Sequence, residues 1–314
     1  MGEITSTTIN QLILMFFFMA IGFIFKRKRI LDAYSSGTIS RLLVNLFLPA
    51  MVIRSFSDNF KADVLADKAM LLLFSCIILL ITGVMSIFLA KLFAREKNEN
   101  GERVINKNTQ GIYIYSFTIP NLGYMGYPLV QAVFGDSALT DAMIYCMPYN
   151  VYIYTLGMYF LTEHKTITFK SMITPPFLAT FVGMALGLID FEMPKVITRI
   201  LTTAESCVSP CAMILTGAVF ARMDMTSVFR DWRPYAASAI RLLIIPLAFL
   251  GLFKVVGIPE GWVLPCVAIL AMPLGVNSIV FPEAYGGDAE SGAKVCFMAA
   301  ILAIFTIPVV FALL

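Results

Sequence analysis

Apolar runs of bilayer length follow one another almost from end to end of this sequence, and no other feature limits its folding as strongly. Hydrocarbon offers backbone N–H and C=O groups no water, so a chain crosses it only as helices or as a closed barrel. The runs fall at about 8–25, 38–55, 67–93, 110–133, 138–161, 171–189, 198–221, 233–256, 261–284 and 289–313. Each is near the roughly twenty residues that a spanning helix needs. Alternation in segments of about ten residues, the mark of a barrel, is absent. The sequence predicts an all-α polytopic membrane protein with ten transmembrane helices. The second and seventh runs carry polar residues and are the weakest.

Composition points the same way. Of the 314 residues, 59% are hydrophobic and 14% charged, against about 25% charged in ordinary globular chains. No soluble domain is visible. The first run does not read as a cleavable signal peptide, because Met1-Gly2-Glu3 precedes it and Lys26-Arg27-Lys28-Arg29 follows. The more positive flank stays in the cytoplasm, which places the N-terminus outside the cell (inner) membrane. With an even number of helices the C-terminus lies outside too. On this topology sixteen Lys and Arg residues fall on inner loops and helix ends, and six fall on the outer side, Arg54 and Arg199 among them. The net charge of +3 follows from that bias and does not suggest nucleic acid.

The six cysteines all fall inside the runs, where they act as small hydrophobes. Cys207 and Cys211 share one helical face, but His164 is the only histidine and lies in a loop. The sequence therefore predicts no metal site and no cofactor.

The chain is also written twice. Met19-Ala20-Ile21-Gly22-Phe23 in the first run resembles Met184-Ala185-Leu186-Gly187-Leu188 in the sixth. Ser40-Arg41-Leu42-Leu43 before Pro49 resembles Thr198-Arg199-Ile200-Leu201 before Pro210. In the fourth run Pro120 and Pro128 precede Gly135-Asp136, and in the ninth Pro273 and Pro282 precede Gly287-Asp288. Five runs per half force the halves into opposite orientations, so 1–161 and 171–314 are expected to form an inverted repeat joined by a cytoplasmic linker at 162–170.

The fourth and ninth runs hold the functional signal. Proline removes a backbone donor and clashes with the preceding turn, yet Pro120-Asn121-Leu122-Gly123 and Pro273-Leu274-Gly275-Val276-Asn277-Ser278 sit at membrane depth. Transporters with inverted repeats commonly bind substrate near the midplane between discontinuous helices at matching positions. Each following half-helix begins with N–H groups that attract anions. Asn121 and Asn277 add neutral donors and acceptors. Prolines also kink membrane helices without binding anything, and Pro49, Pro148, Pro210, Pro246 and Pro308 are read that way. The matched positions favour a site for the other two breaks.

At these residues the sequence resembles the auxin efflux carrier family, over nearly the whole chain. Leu46-Phe47-Leu48-Pro49-Ala50, Pro120-Asn121 with Gly123, Gly126 and Pro128, Ala271-Met272-Pro273, and Thr306-Ile307-Pro308 carry the resemblance. Bacterial members include malate and malonate permeases, the plant PIN carriers are relatives, and the fold is of the bile acid/sodium symporter type. The resemblance implies broken helices four and nine that cross and hold a substrate carboxylate. The family's crossover Pro-Asn falls on Pro120 and Asn121, and its second crossover proline on Pro273. Helices one, two, six and seven would form a scaffold, with three to five and eight to ten moving past it as an elevator. It also implies a homodimer, for which Gly22, Gly183 and Gly187 would allow close packing. The long central loop of the plant carriers is missing, so the plant hormone does not transfer as substrate. The expected binding set is Pro120, Asn121, Gly123, Pro273, Gly275, Asn277 and Ser278, for a small organic anion such as a carboxylate or dicarboxylate.

Other polar residues inside the runs are candidates for the path or for coupling to H+ or Na+, which the sequence leaves open. Glu205 lies in the seventh run, either as a proton or cation carrier, or held by a partner in a scaffold helix, or in a nearly interfacial position. Arg241 lies in the eighth, either attracting an anion or snorkelling to the cytoplasmic face. Asn45 and Asn150 are lesser candidates. An enzyme reading fails on residue types: one histidine cannot build a His-Glu-x-x-His helix, and Asp136 and Asp288 sit at run ends as loop or cap residues. A channel or a transporter-derived sensor of organic acids remains the alternative.

Overall fold

The computed structural model describes residues 2–32, 34–97, 102–162 and 173–314. Nearly all of the predicted linker, with His164, Lys165 and Lys170, lies outside these residues, as does the start of the sixth run. The described chain is mostly helical. Five helices are long and apolar enough to cross a membrane: Ser35–Asn59, Ala69–Phe93, Lys195–Phe220, Trp232–Val256 and Ala289–Phe311. The first run lies in the helix Gly2–Arg27, and Pro175–Leu188 and Glu260–Leu270 are shorter apolar helices.

Ala69–Phe93 shows why these helices belong in lipid. Its buried face, Leu71, Phe74, Ser75, Ile78, Thr82 and Ser86, follows the 3.6-residue period and contains its hydroxyls. Leu80, Val84 and Phe88 are each more than half exposed on the other side. That is the reverse of a water-soluble amphipathic helix. The buried hydroxyls are used within the protein: Ser75 donates to the Tyr145 carbonyl, and Thr118 and Ser86 pair at 2.9 Å.

Four helical stretches widen into a π-turn, at Leu43–Phe47, Leu122–Gly126, Ile153–Gly157 and Ile240–Ile244. Two of these come just before Pro49 and Pro246. A proline ring clashes with the carbonyl four residues back, and an extra residue in the turn relieves it. These prolines therefore reshape continuing helices.

The closest helix pairs are Ser35–Asn59 with Pro175–Leu188, and Gly2–Arg27 with Val208–Phe220. Glycine makes both approaches fit. A Cβ on Gly22 would lie 2.0 Å from the Ile214 carbonyl oxygen, and one on Gly217 would lie 1.9 Å from that of Met19. Gly183 and Gly187 face Phe56 and Phe60 in the same way. Gly22, Gly183 and Gly187, expected to allow close packing with a second copy, are thus packed against helices of the same chain. Their close packing is spent inside the chain.

Candidate functional site

Lys107–Thr118 ends where Pro120 can no longer donate, and Ile119 N–H to the Tyr115 carbonyl is its last bond. In a continuing helix Asn121 N–H would return to Phe117. It crosses instead to the Pro273 carbonyl at 2.8 Å, and Pro120 and Leu274 form an isolated antiparallel bridge. On the other strand of this crossing, Glu260–Leu270 ends and the chain runs irregularly until Asn277–Tyr285. The two interrupted segments thus satisfy part of each other's backbone. Gly275 lies against the Pro120 carbonyl oxygen, where an added Cβ would sit in ordinary contact at 3.4 Å.

A cavity of about 150 Å³ opens beside the crossing. Pro120, Asn121, Gly123, Gly275 and Asn277 line it on the crossing's side. Asn121 is 1% exposed, and neither its Nδ2 nor its Oδ1 has a partner. The Oδ1 of Asn277 is likewise buried without one. Buried polar groups are normally satisfied, so these three unpaired atoms beside a cavity mark a candidate position for a polar ligand.

The N–H groups that start the following helices are partly used. Leu122 bonds back to Pro120, Gly126 to Asn121, Ser278 to Gly275 and Ile279 to Val276. The side-chain amides, more than the helix ends, are the groups left open. Pro273 contributes its carbonyl to the crossing and does not line the cavity. Ser278 is buried with its hydroxyl on the Gly275 carbonyl at 3.0 Å, so it braces the loop.

The cavity lining also carries charge. Arg54 Nη1 donates to Glu205 Oε2 at 2.5 Å, its Nε lies 3.5 Å from Asp58, and all three residues line the cavity. Glu205 therefore has the partner expected of a scaffold position, and it also faces the cavity. The sequence reading had placed Arg54 with the outer flanks and missed it. The signal was there: Arg54 lies five residues after Pro49 and Glu205 five before Pro210, in the two runs matched by the repeat. Asn150 lines the cavity as well. Asn45 does not; it is exposed and donates to the Arg41 carbonyl at 2.8 Å.

Two further expectations are settled by burial and bonding. Arg241 is 1% exposed, so it does not snorkel; its Nη1 reaches the Phe117 carbonyl at 3.3 Å. Asp288 caps Ala289–Phe311 by accepting from Ser291 N–H at 2.9 Å, and also accepts from the Thr109 hydroxyl. Among the described residues no group of three or more His, Cys, Asp or Glu is placed to hold a metal ion.

A family model described as membrane transport protein matches residues 7–169 and 159–311 of this chain. A protein from Methanothermobacter thermautotrophicus, described as an uncharacterized transporter, is 25% identical over 316 residues, covering 97% of this chain and 96% of its own.

Proposed function

This chain belongs to the membrane transport protein family, a family of transporters rather than enzymes, and on that premise we propose that it is a secondary carrier of small organic anions. Its substrate is a carboxylate or dicarboxylate, bound at the crossing of two broken helices. One observation carries the reading: where the interrupted segments meet, beside a cavity, Asn121 holds a buried amide with neither polar atom paired, and the Oδ1 of Asn277 is buried without a partner. An amide N–H can donate to a carboxylate without the cost of burying a fixed charge opposite it.

In this reading ten helices form two inverted five-helix repeats, and helices three to five and eight to ten move against a scaffold of one, two, six and seven. The helix pairing supports it. Exchanging the two halves turns the pair of helices one and seven into six and two, and both are the closest pairs of the fold. The cavity is lined both by residues of helices two and seven and by residues of the crossing. Sliding of one group past the other would carry a bound anion across.

Counterflow tests the proposal. Purified protein in vesicles preloaded with unlabelled malonate should accumulate labelled malonate transiently, because a carrier exchanges. A pore would only dissipate the gradient, and a sensor would move nothing. Malonamide, the neutral amide, should not compete. Competition by malonamide equal to that by malonate would remove the anion site from this reading.

A further inference from the structure

Arg241 is the one arginine sealed inside the described protein, and the carrier reading gives it no task. Its side chain is 1% exposed. Among the described residues no carboxylate lies within ion-pair distance, and its Nε and Nη2 have no hydrogen-bond partner. A guanidinium stays protonated at any physiological pH, so a full positive charge is held here without a counter-ion. Burial of that kind is expensive unless something nearby is negative.

The negative partner is the broken helix itself. The Phe117 carbonyl lost its usual donor when Asn121 N–H crossed to Pro273, and the Nη1 of Arg241 takes its place at 3.3 Å. The end of Lys107–Thr118 carries about half a negative charge from its aligned peptide dipoles. The hydroxyls of Tyr145 and Tyr149, 3.1 Å apart, and the Cys266 sulfur, 3.1 Å from Tyr145, form a neutral polar cluster, and the two hydroxyls are within electrostatic reach of Arg241. In transporters built from broken helices, unwound carbonyls and half-helix C-termini are where coupling Na+ or H+ binds. Here such a carbonyl is already occupied.

We propose that Arg241 is a tethered cation, permanently filling the coupling-ion position behind the crossing, so that anion transport needs no sodium there. Arginine also cannot give up its proton, so this position does not carry protons either. The inference rests on the carrier reading for its meaning, although the cation position can be probed without transport.

Malonate counterflow in vesicles, with sodium fully replaced by choline, is the first measurement. The unmodified protein should keep its rate to within about twofold, while Arg241→Ala should lose about tenfold or more. Millimolar methylguanidinium should restore a part of the Arg241→Ala rate and leave the unmodified rate unchanged. Collapse of the unmodified rate in choline, or an Arg241→Ala rate equal to the original without any added cation, overturns the proposal. If Arg241→Ala fails to fold, Arg241→Gln keeps a donor for Phe117 without the charge, and full activity there overturns the proposal too. Absence of any malonate exchange by the unmodified protein would instead count against the carrier reading. In that case melting temperature decides the inference: methylguanidinium should stabilise the Arg241→Ala or Arg241→Gln protein relative to the unmodified one, and no such rise sinks it.

Discussion

The backbone N–H of Asn121 donates to the carbonyl of Pro273 at 2.8 Å, joining two segments that are 152 residues apart in the chain. This bond answers why a membrane protein interrupts its helices at Pro120 and Pro273: each break hands polar backbone to the other. The side chain of Asn121 is thereby held at the cavity wall with both of its polar atoms open.

Asn121→Ala should weaken malonate binding by about one to two powers of ten. A hydrogen bond to a charged group is worth about 1.5–3 kcal/mol, and about 1.4 kcal/mol is one factor of ten. Equilibrium binding of labelled malonate to the purified variant checks this. An unchanged affinity in a variant that melts like the original would remove Asn121 from the site.

Pro120→Ala supplies a backbone donor that the break lacks and lets Lys107–Thr118 extend by bonding residue 120 to the Ser116 carbonyl. The expected outcome is a transport rate that falls more than malonate affinity does. Parallel measurements of counterflow and binding on one preparation show the split. Equal losses in both would mean that the proline serves binding alone.

Arg54 and Glu205 should respond with opposite signs. Both line the cavity and pair with each other, so Glu205→Gln makes the cavity more positive and Arg54→Gln makes it more negative. Malonate affinity is expected to rise, or hold, in the first and to fall roughly three- to tenfold in the second. The pair is about one-third exposed, so its loss should cost less than about 1 kcal/mol of stability. Titration of both variants tests the sign, and a Glu205→Gln protein that loses malonate binding would contradict it.

Gly217→Ala places a methyl group 1.9 Å from the Met19 carbonyl oxygen. Overpacking of this kind costs about 1–3 kcal/mol or more. Gly83 has nothing within 4 Å of the same added atom, so Gly83→Ala should be neutral or slightly stabilising. Thermal melts of the two variants in one detergent should differ clearly, with only the Gly217 variant lowered. Identical melts would mean that the helices separate freely at this contact.

The charge bias predicts an outside N-terminus with Lys28 in the cytoplasm. In a background without the native cysteines, a cysteine placed at position 3 should react with an impermeant maleimide in intact cells. Cysteines at 28 and 165 should react only after the membrane is opened. The reverse pattern would invert the topology.

Much of this protein was legible in its residues one at a time. Membrane character came from the length of the apolar runs, since lipid leaves a backbone so few options. The interruptions came from proline, whose missing N–H is a property of the residue itself. Asn121 and Asn277 stood out because an amide beside such a break needs polar partners. Pairing was different, because it depends on which helix faces which. Gly22 and Gly183 announced close contact but not with whom, and only packing showed that their partners are Ile214 and Phe56 of the same chain. Arg241 was open to two readings until burial removed the snorkelling one. Arg54 was counted only as an outer flank, and folding set it against Glu205. A residue's chemistry travels with its letter, whereas the groups it must satisfy are brought to it by helices that are distant in sequence.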